Sequence, residues 1–265
     1  MWCLPLYNRL FWLFASIGRY AINLVFNIGD AFIFFIKFIY HCFCPPYYYG
    51  VIWKQFVEIF FFSLPIVGIT AVFTGAVLIL QNALVINTNV SNDFIAGVVV
   101  VAIVRELVPV LVGLIIAGRV GASIAAEIGT MRITEQIDAL FTLNTNPFKY
   151  LIVPRIISAM IGMPLLILCA DLIGSYGGYV VGSFKLGCTP EMYIKGIIRF
   201  LHVRDVELGL IKATVFGFII SFVGCYNGYY CNGGARGVGI ATTYVVVISS
   251  MLIIFLNYII TVFYS

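Results

Sequence analysis

Two long charge-free stretches constrain this chain more than anything else in it. No charged residue occurs between Glu58 and Asp93, and none follows Arg236 to the end at Ser265. A water-soluble fold of 265 residues would need a charged surface, yet 62% of the residues are hydrophobic and only 10% are charged. That is too little charge to cover a globule, so the solvent for most of the chain is lipid. A bilayer-spanning helix takes about 20 mainly apolar residues. Such helices fit at about 60–86, 94–118, 156–184, 213–230 and 239–263. The second is broken only by Arg105-Glu106 and the third only by Asp171.

The first 55 residues read differently. Arg9, Arg19, Asp30 and Lys37 punctuate an apolar background, a pattern that suits a helix lying in the membrane interface. Their positions and the lack of an A-x-A site do not suit a cleaved signal peptide. A sixth span at about 20–42 is the competing reading. "PPYYYG" (45–50) then breaks the helix, and its tyrosines suit the headgroup level. The organisation expected is therefore an interfacial region over 1–55 and a membrane domain over 56–265. Nine Lys and Arg (Arg9, Arg19, Lys37, Lys54, Arg119, Arg132, Lys149, Arg155 and Arg236) fall on the side holding the N-terminus and residues 119–155, against five on the side holding 185–212, which places the former in the cytoplasm. The net charge of +4 is scattered along the chain, and no nucleic-acid partner is expected. Seven cysteines, none in a CxxC pair, read as free apolar thiols.

Small residues recur at helical spacing. Gly174, Gly178 and Gly182 form a GxxxGxxxG series, and Gly224 and Gly228 repeat the interval. Such faces let helix backbones approach closely in lipid.

"EIGTMRITEQIDAL" (127–140) is dense in polar groups for such a chain. Ile133, Ile137, Leu140 and Phe141 fall on one face of a short helix. Thr134 is its expected N-cap and Asn146-Pro147 its stop. The helix is either an ordinary solvated loop helix or a docking element for a soluble partner.

"AGRVGASIAAEIGTMRITEQIDAL" (117–140), "NPFKYLIVPRIISAMIGMPLL" (146–166) and "GLIKATVFGFIISFVGCYNGYYCNGGARGVGIATTYVVV" (209–247) resemble the MlaE-type permease family. These are membrane subunits of ABC transporters that move phospholipids and related lipids between membranes. The resemblance covers about residues 55–263. The fold expected is an all-α integral membrane protein with an interfacial N-terminal helix, about five transmembrane helices and a short cytoplasmic coupling helix within 133–143. The resemblance further implies that Glu127, Thr130, Met131, Arg132, Glu135, Gln136 and Asp138 couple to a separate ABC ATPase subunit. ATP and Mg would sit on that partner, and this chain would bind no cofactor of its own. A homodimer, an MCE-domain substrate-binding partner and a bacterial inner-membrane location follow from the same likeness. A plastid inner envelope is the alternative location. The family's usual GGAEGVGRATTR pattern departs here at Arg236, Ile240 and Tyr244, which changes the charge of the loop between spans four and five.

A charge deep in a membrane span normally faces a cavity or a partner. Arg105 and Glu106 are read as a polar patch bordering a lipid cavity, the guanidinium meeting a phosphate, or as a structural link between helices. Lys212, in "GLIKAT", matches the family pattern and joins them as a cavity residue, or snorkels to the interface. A secondary transporter or ion channel using Arg105, Glu106 and Asp171 is the alternative function. A lipid-modifying membrane enzyme is a third reading. Against it, no Gly-Lys dipeptide exists from which to build a P-loop, His41 and His202 stand far apart, and no GxSxG elbow occurs. No catalytic or metal-ligating residue is expected.

Overall fold

The computed structural model describes residues 4–85 and 92–264. Among the described residues every regular element is helical, and five helical stretches are long and apolar enough to cross a membrane: Tyr49–Asn82, Phe94–Ile133, Phe148–Lys185, Val203–Tyr229 and Gly234–Tyr264.

The chain divides into two compact units, 1–47 and 48–265. The first is one helix, α1 (Leu4–Phe43). At 1.5 Å per residue it is about 60 Å long. It exposes Ile22, Val25, Phe26, Phe32 and Ile36.

The second unit holds the remaining helices. α2 (Tyr49–Phe60) leads through a turn at 61–63 into α3 (Leu64–Val85). α4 (Asn92–Ala102), α5 (Val108–Ile116) and α6 (Ala122–Ile133) form one rod interrupted by π turns at Ile103–Leu107 and Ala117–Gly121. α7 (Gln136–Thr142) is the short helix of the polar stretch. A third π turn, Phe148–Ile152, opens α8 (Val153–Leu186). α9 (Pro190–Phe200) joins it to α10 (Val203–Tyr229), and α11 (Gly234–Tyr264) ends the chain.

The helices run further than the charge-free stretches. The rod ends at Ile133 where the apolar run stops near 118, and α10 starts at Val203 rather than 213. The physical reason is that the charges at their ends are satisfied. Arg119 donates to Ser63 Oγ, and Arg155 Nη2 donates to Glu127 Oε2 at 2.8 Å. At the start of α10 the His202 amide donates to Asp205 Oδ2 at 3.1 Å. A paired charge does not end a helix; it lets the helix project beyond the roughly 30 Å hydrocarbon layer.

Glycine sets the packing. Gly75 of α3 meets the Gly174 carbonyl of α8 backbone to backbone, and a Cβ on Gly177 would lie 2.6 Å from the Val72 carbonyl oxygen. Gly178 and Gly182 face Ile79 of α3. On the other side of α8, a Cβ on Gly217 of α10 would lie 2.6 Å from the Ala159 carbonyl oxygen. Gly224 and Gly228 of α10 sit against Gly121, Ala125 and Ile128 of the rod. The core thus lies among α3, α8, α10 and α4–α6, lined by Ile103, Ile128, Ile156, Met163, Phe216 and Ile220, all buried.

Candidate functional site

The polar groups of the membrane unit gather at its two ends. Glu106 and Glu127 lie on the same rod, about 30 Å apart at 1.5 Å per residue.

At one end the first π turn carries Arg105 and Glu106. A π turn inserts one residue into the helix, turns its side chains out of register and leaves carbonyls without their i+4 amide. The Arg105 carbonyl also lacks an i+4 donor, because residue 109 is proline: Lys212 Nζ of α10 donates to it at 3.0 Å and to Glu106 Oε2 at 2.8 Å. The Lys212 side chain has 0% exposure, whereas the Glu106 side chain has 35%. α11 completes the shell, with Asn257 Nδ2 donating to Glu106 Oε2 at 3.2 Å and Thr261 Oγ1 to Oε1 at 3.0 Å. One carboxylate therefore ties three spans together. The Arg105 guanidinium lies between two carboxylates, its Nε 4.0 Å from Glu106 Oε1 and its Nη1 3.6 Å from Asp205 Oδ1. There it lines a cavity of about 350 Å³ with His202, Arg204, Asp205, Leu208 and Tyr264.

This geometry separates three residues that the sequence groups as one polar patch. Arg105 faces the cavity. Glu106 and Lys212 are mutually paired, and Lys212 Nζ is spent on protein atoms. Asp205, Asn257 and Thr261 join the site without a clear mark in the sequence. Asp205 sits in what reads as a polar loop, and Asn257 and Thr261 lie within the charge-free final span. Their sole signal is an amide in otherwise apolar surroundings. Asp171 stands apart on α8, buried, and its Oδ1 has no hydrogen-bond partner among the described residues.

At the other end, α6 and α7 form a tight helical hairpin. Arg132 Nη1 donates to Asp138 Oδ1 at 2.9 Å, and its guanidinium carbon lies 6.0 Å from the Tyr229 ring centroid. Glu127 receives Arg155, whose side chain is 7% exposed, and Ser123 Oγ at 3.3 Å. Thr130 Oγ1 donates to the Ala126 carbonyl at 2.7 Å. Met131 is half-buried, and Glu135 and Gln136 are exposed.

Two local expectations change here. Thr134 does not cap α7. It closes α6, its hydroxyl donating to the Thr130 carbonyl at 2.8 Å, and Glu135 precedes α7 in the left-handed region at φ 57°. The apolar face is also narrower than expected: Ile137 is fully buried, but Phe141 is 53% and Leu143 73% exposed. The helix has only seven residues, about two turns, and Phe141 stands in its last turn, one turn beyond the buried Ile137.

A left-handed non-glycine residue costs about 1–2 kcal/mol. Glu135→Gly is therefore expected to raise the stability of the isolated subunit by about 0.5–1 kcal/mol, after glycine's own entropy loss. Unfolding titrations in mixed micelles would read this, and a destabilisation would mean that the Glu135 side chain holds the hairpin.

Residues 52–263 match the family described as Permease MlaE. A probable ABC transporter permease protein of Rickettsia bellii is 52% identical over 246 residues, covering 93% of this chain and 95% of that one. A probable ABC transporter permease protein of Synechocystis is 42% identical over 195 residues, 74% of each chain. The Arabidopsis thaliana chloroplastic protein TRIGALACTOSYLDIACYLGLYCEROL 1 is 34% identical over 202 residues, 76% of this chain and 58% of that one.

Proposed function

The chain belongs to the MlaE permease family, and from that premise we propose that it carries phospholipid between membranes as the permease subunit of an ABC transporter. As such a permease it is a multi-pass membrane protein without a catalytic role, and ATP hydrolysis falls to a separate ATPase. The cargo, a homodimeric assembly, an MCE-domain partner and a bacterial inner-membrane location are parts of the proposal. A plastid inner envelope is the alternative location.

The observation that carries the reading is the α6–α7 hairpin. A loop helix with no partner would be held loosely and would show water a polar surface. This one is fixed by Arg132–Asp138 and Arg155–Glu127 and turns Phe141 and Leu143 outward. A rigid lever with an apolar tip suits a motor subunit, because a rigid-body motion of the partner then reaches the spans through α6 and α8. The lipid cargo is supported by the Arg105 and Arg204 cations at a cavity among apolar spans, which matches a phosphate on a greasy body. It is also supported by an Arabidopsis relative named for a diacylglycerol lipid. The ion-path alternative fares worse. Arg105 and Glu106 face Asp205 and Lys212, which leaves Asp171 without a charged companion to form a track with them.

The test is mild-detergent purification of the tagged protein with its partners. Phe141→Glu together with Leu143→Glu is expected to reduce the co-purifying ATPase about tenfold or more, as for two exposed anchors at an interface centre. The membrane unit should keep its elution position. Undiminished ATPase would sink the docking role, and a wild-type preparation free of phospholipid by mass spectrometry would sink the cargo.

A further inference from the structure

α9 joins the end of α8 to the start of α10, so it lies level with the ends of two spans. Its sequence, PEMYIKGIIRF, divides by face. Thr189 caps its start, accepting from the Met192 amide at 3.4 Å. The inner face is fixed to the bundle. Tyr193 Oη donates to the Ser175 carbonyl at 2.9 Å. Burial, with a smaller contribution from Cys188, pushes that phenol up to about 12, so it remains a donor across the physiological range. The Phe200 ring meets Phe94 edge-on at 5.3 Å. Gly97 lets α4 approach so closely that a Cβ there would lie 2.7 Å from the Gly196 carbonyl oxygen.

The outer face is apolar at its centre, and its flank carries Glu191 followed by two basic residues. Ile194 is 54% and Ile198 75% exposed, and Lys195 and Arg199 are exposed beside them. A helix packed along α4, with an aliphatic strip and Lys and Arg beside it on its outward side, suits an anionic lipid surface. The basic flank is also continuous with the cavity. One turn after Arg199 the chain reaches His202 and Arg204, which line the same cavity as Arg105.

We propose that the outer face of α9 rests on the bilayer, draws anionic phospholipid from that leaflet, and leads its headgroup along Lys195 and Arg199 to the cavity at His202 and Arg204. This rests on the lipid-permease reading and adds to it a lateral lipid surface and a preference for negative headgroups.

The test places p-benzoylphenylalanine at position 198 of the full chain, purified with its ATPase and reconstituted in phosphatidylcholine vesicles containing a minority of phosphatidylglycerol. After irradiation, mass spectrometry identifies the adducts. Phosphatidylglycerol adducts are expected to exceed that lipid's share of the vesicle about fivefold, the effect of one basic residue near an anionic surface. Lys195→Glu with Arg199→Glu should abolish the enrichment and leave phosphatidylcholine adducts in place. Adducts that mirror the bulk composition overturn the headgroup preference. Adducts to a protein chain, a second copy included, overturn the lipid surface altogether. ATPase retained in the same preparation separates either failure from a failure of the permease reading.

Discussion

Glu106→Gln is expected to destabilise the membrane unit by about 3 kcal/mol or more, and Lys212→Met by less. The asymmetry follows from where each charge sits. Lys212 has no exposure, and its ammonium rests on Glu106 and one backbone carbonyl. Removing the carboxylate's charge leaves a cation in a dry site with only neutral acceptors. Glu106 is one-third exposed and keeps Asn257 and Thr261 when Lys212 is removed, so its stranded charge is better solvated. The double variant Glu106→Gln/Lys212→Met should cost less than the two single changes added, because the charge left uncompensated by each is absent from the pair. Unfolding titrations of the four proteins in mixed micelles complete the cycle. Additive costs would show that the two charges do not depend on one another. A stable Lys212→Met that loses its bound phospholipid would restore Lys212 as a headgroup ligand and overturn its assignment as a tether.

How far this arrangement is legible in the sequence depends on the kind of signal each residue gives. Arg105 and Glu106 stand out because two charges interrupt an apolar run. The spans stand out because a long charge-free stretch in a chain this apolar has nowhere to go but the bilayer. The roles of the two charges are not legible. They depend on the π turn at Ile103–Leu107, which no periodicity announces and which turns neighbouring side chains to different partners. Asn257 and Thr261 are silent for the opposite reason: a lone amide or hydroxyl in a long helix can bond its own backbone, as Thr261 also does to the Asn257 carbonyl at 2.8 Å. Helix ends placed by charge fall short at Arg119 and in the 203–212 segment, since a charge marks a boundary only when unpaired. At the hairpin, Glu127 and Asp138 look in sequence like contacts for another subunit. Both are engaged within the chain, by Arg155 and Arg132, while Glu135, Gln136, Phe141 and Leu143 are exposed. The Gly174, Gly178 and Gly182 stripe is visible as spacing, but its counterpart Gly75 is not, because a stripe on one helix does not name the residue that fills it.

That counterpart carries a second large expected effect. Gly75→Val should abolish accumulation of the folded protein in membranes. A Cβ at this position would run into the Gly174 carbonyl, with the Gly178 amide 3.2 Å away on the next turn. The obstructing atoms are backbone on a 34-residue helix, so no rotamer change can make room. Relief requires α3 and α8 to separate, which undoes the packing of Gly177 on Val72 along the same seam. Overpacking a core that can adjust costs about 1–3 kcal/mol. Here the seam cannot adjust locally, and in lipid close packing is itself the main force joining helices, since no hydrophobic effect operates between them. Gly68→Ala, two turns earlier on α3, is the control. Its Cβ would meet only the Ile173 Cδ1 at 3.6 Å, an ordinary contact, and alanine is the better helix residue by about 0.5–1 kcal/mol. Accumulation of Gly75→Val at wild-type level, resistant to mild-detergent extraction and proteolysis, would show that α3 and α8 are not fixed by this seam. Loss of Gly75→Val alongside full accumulation of Gly68→Ala would locate the constraint at the seam where the two backbones touch.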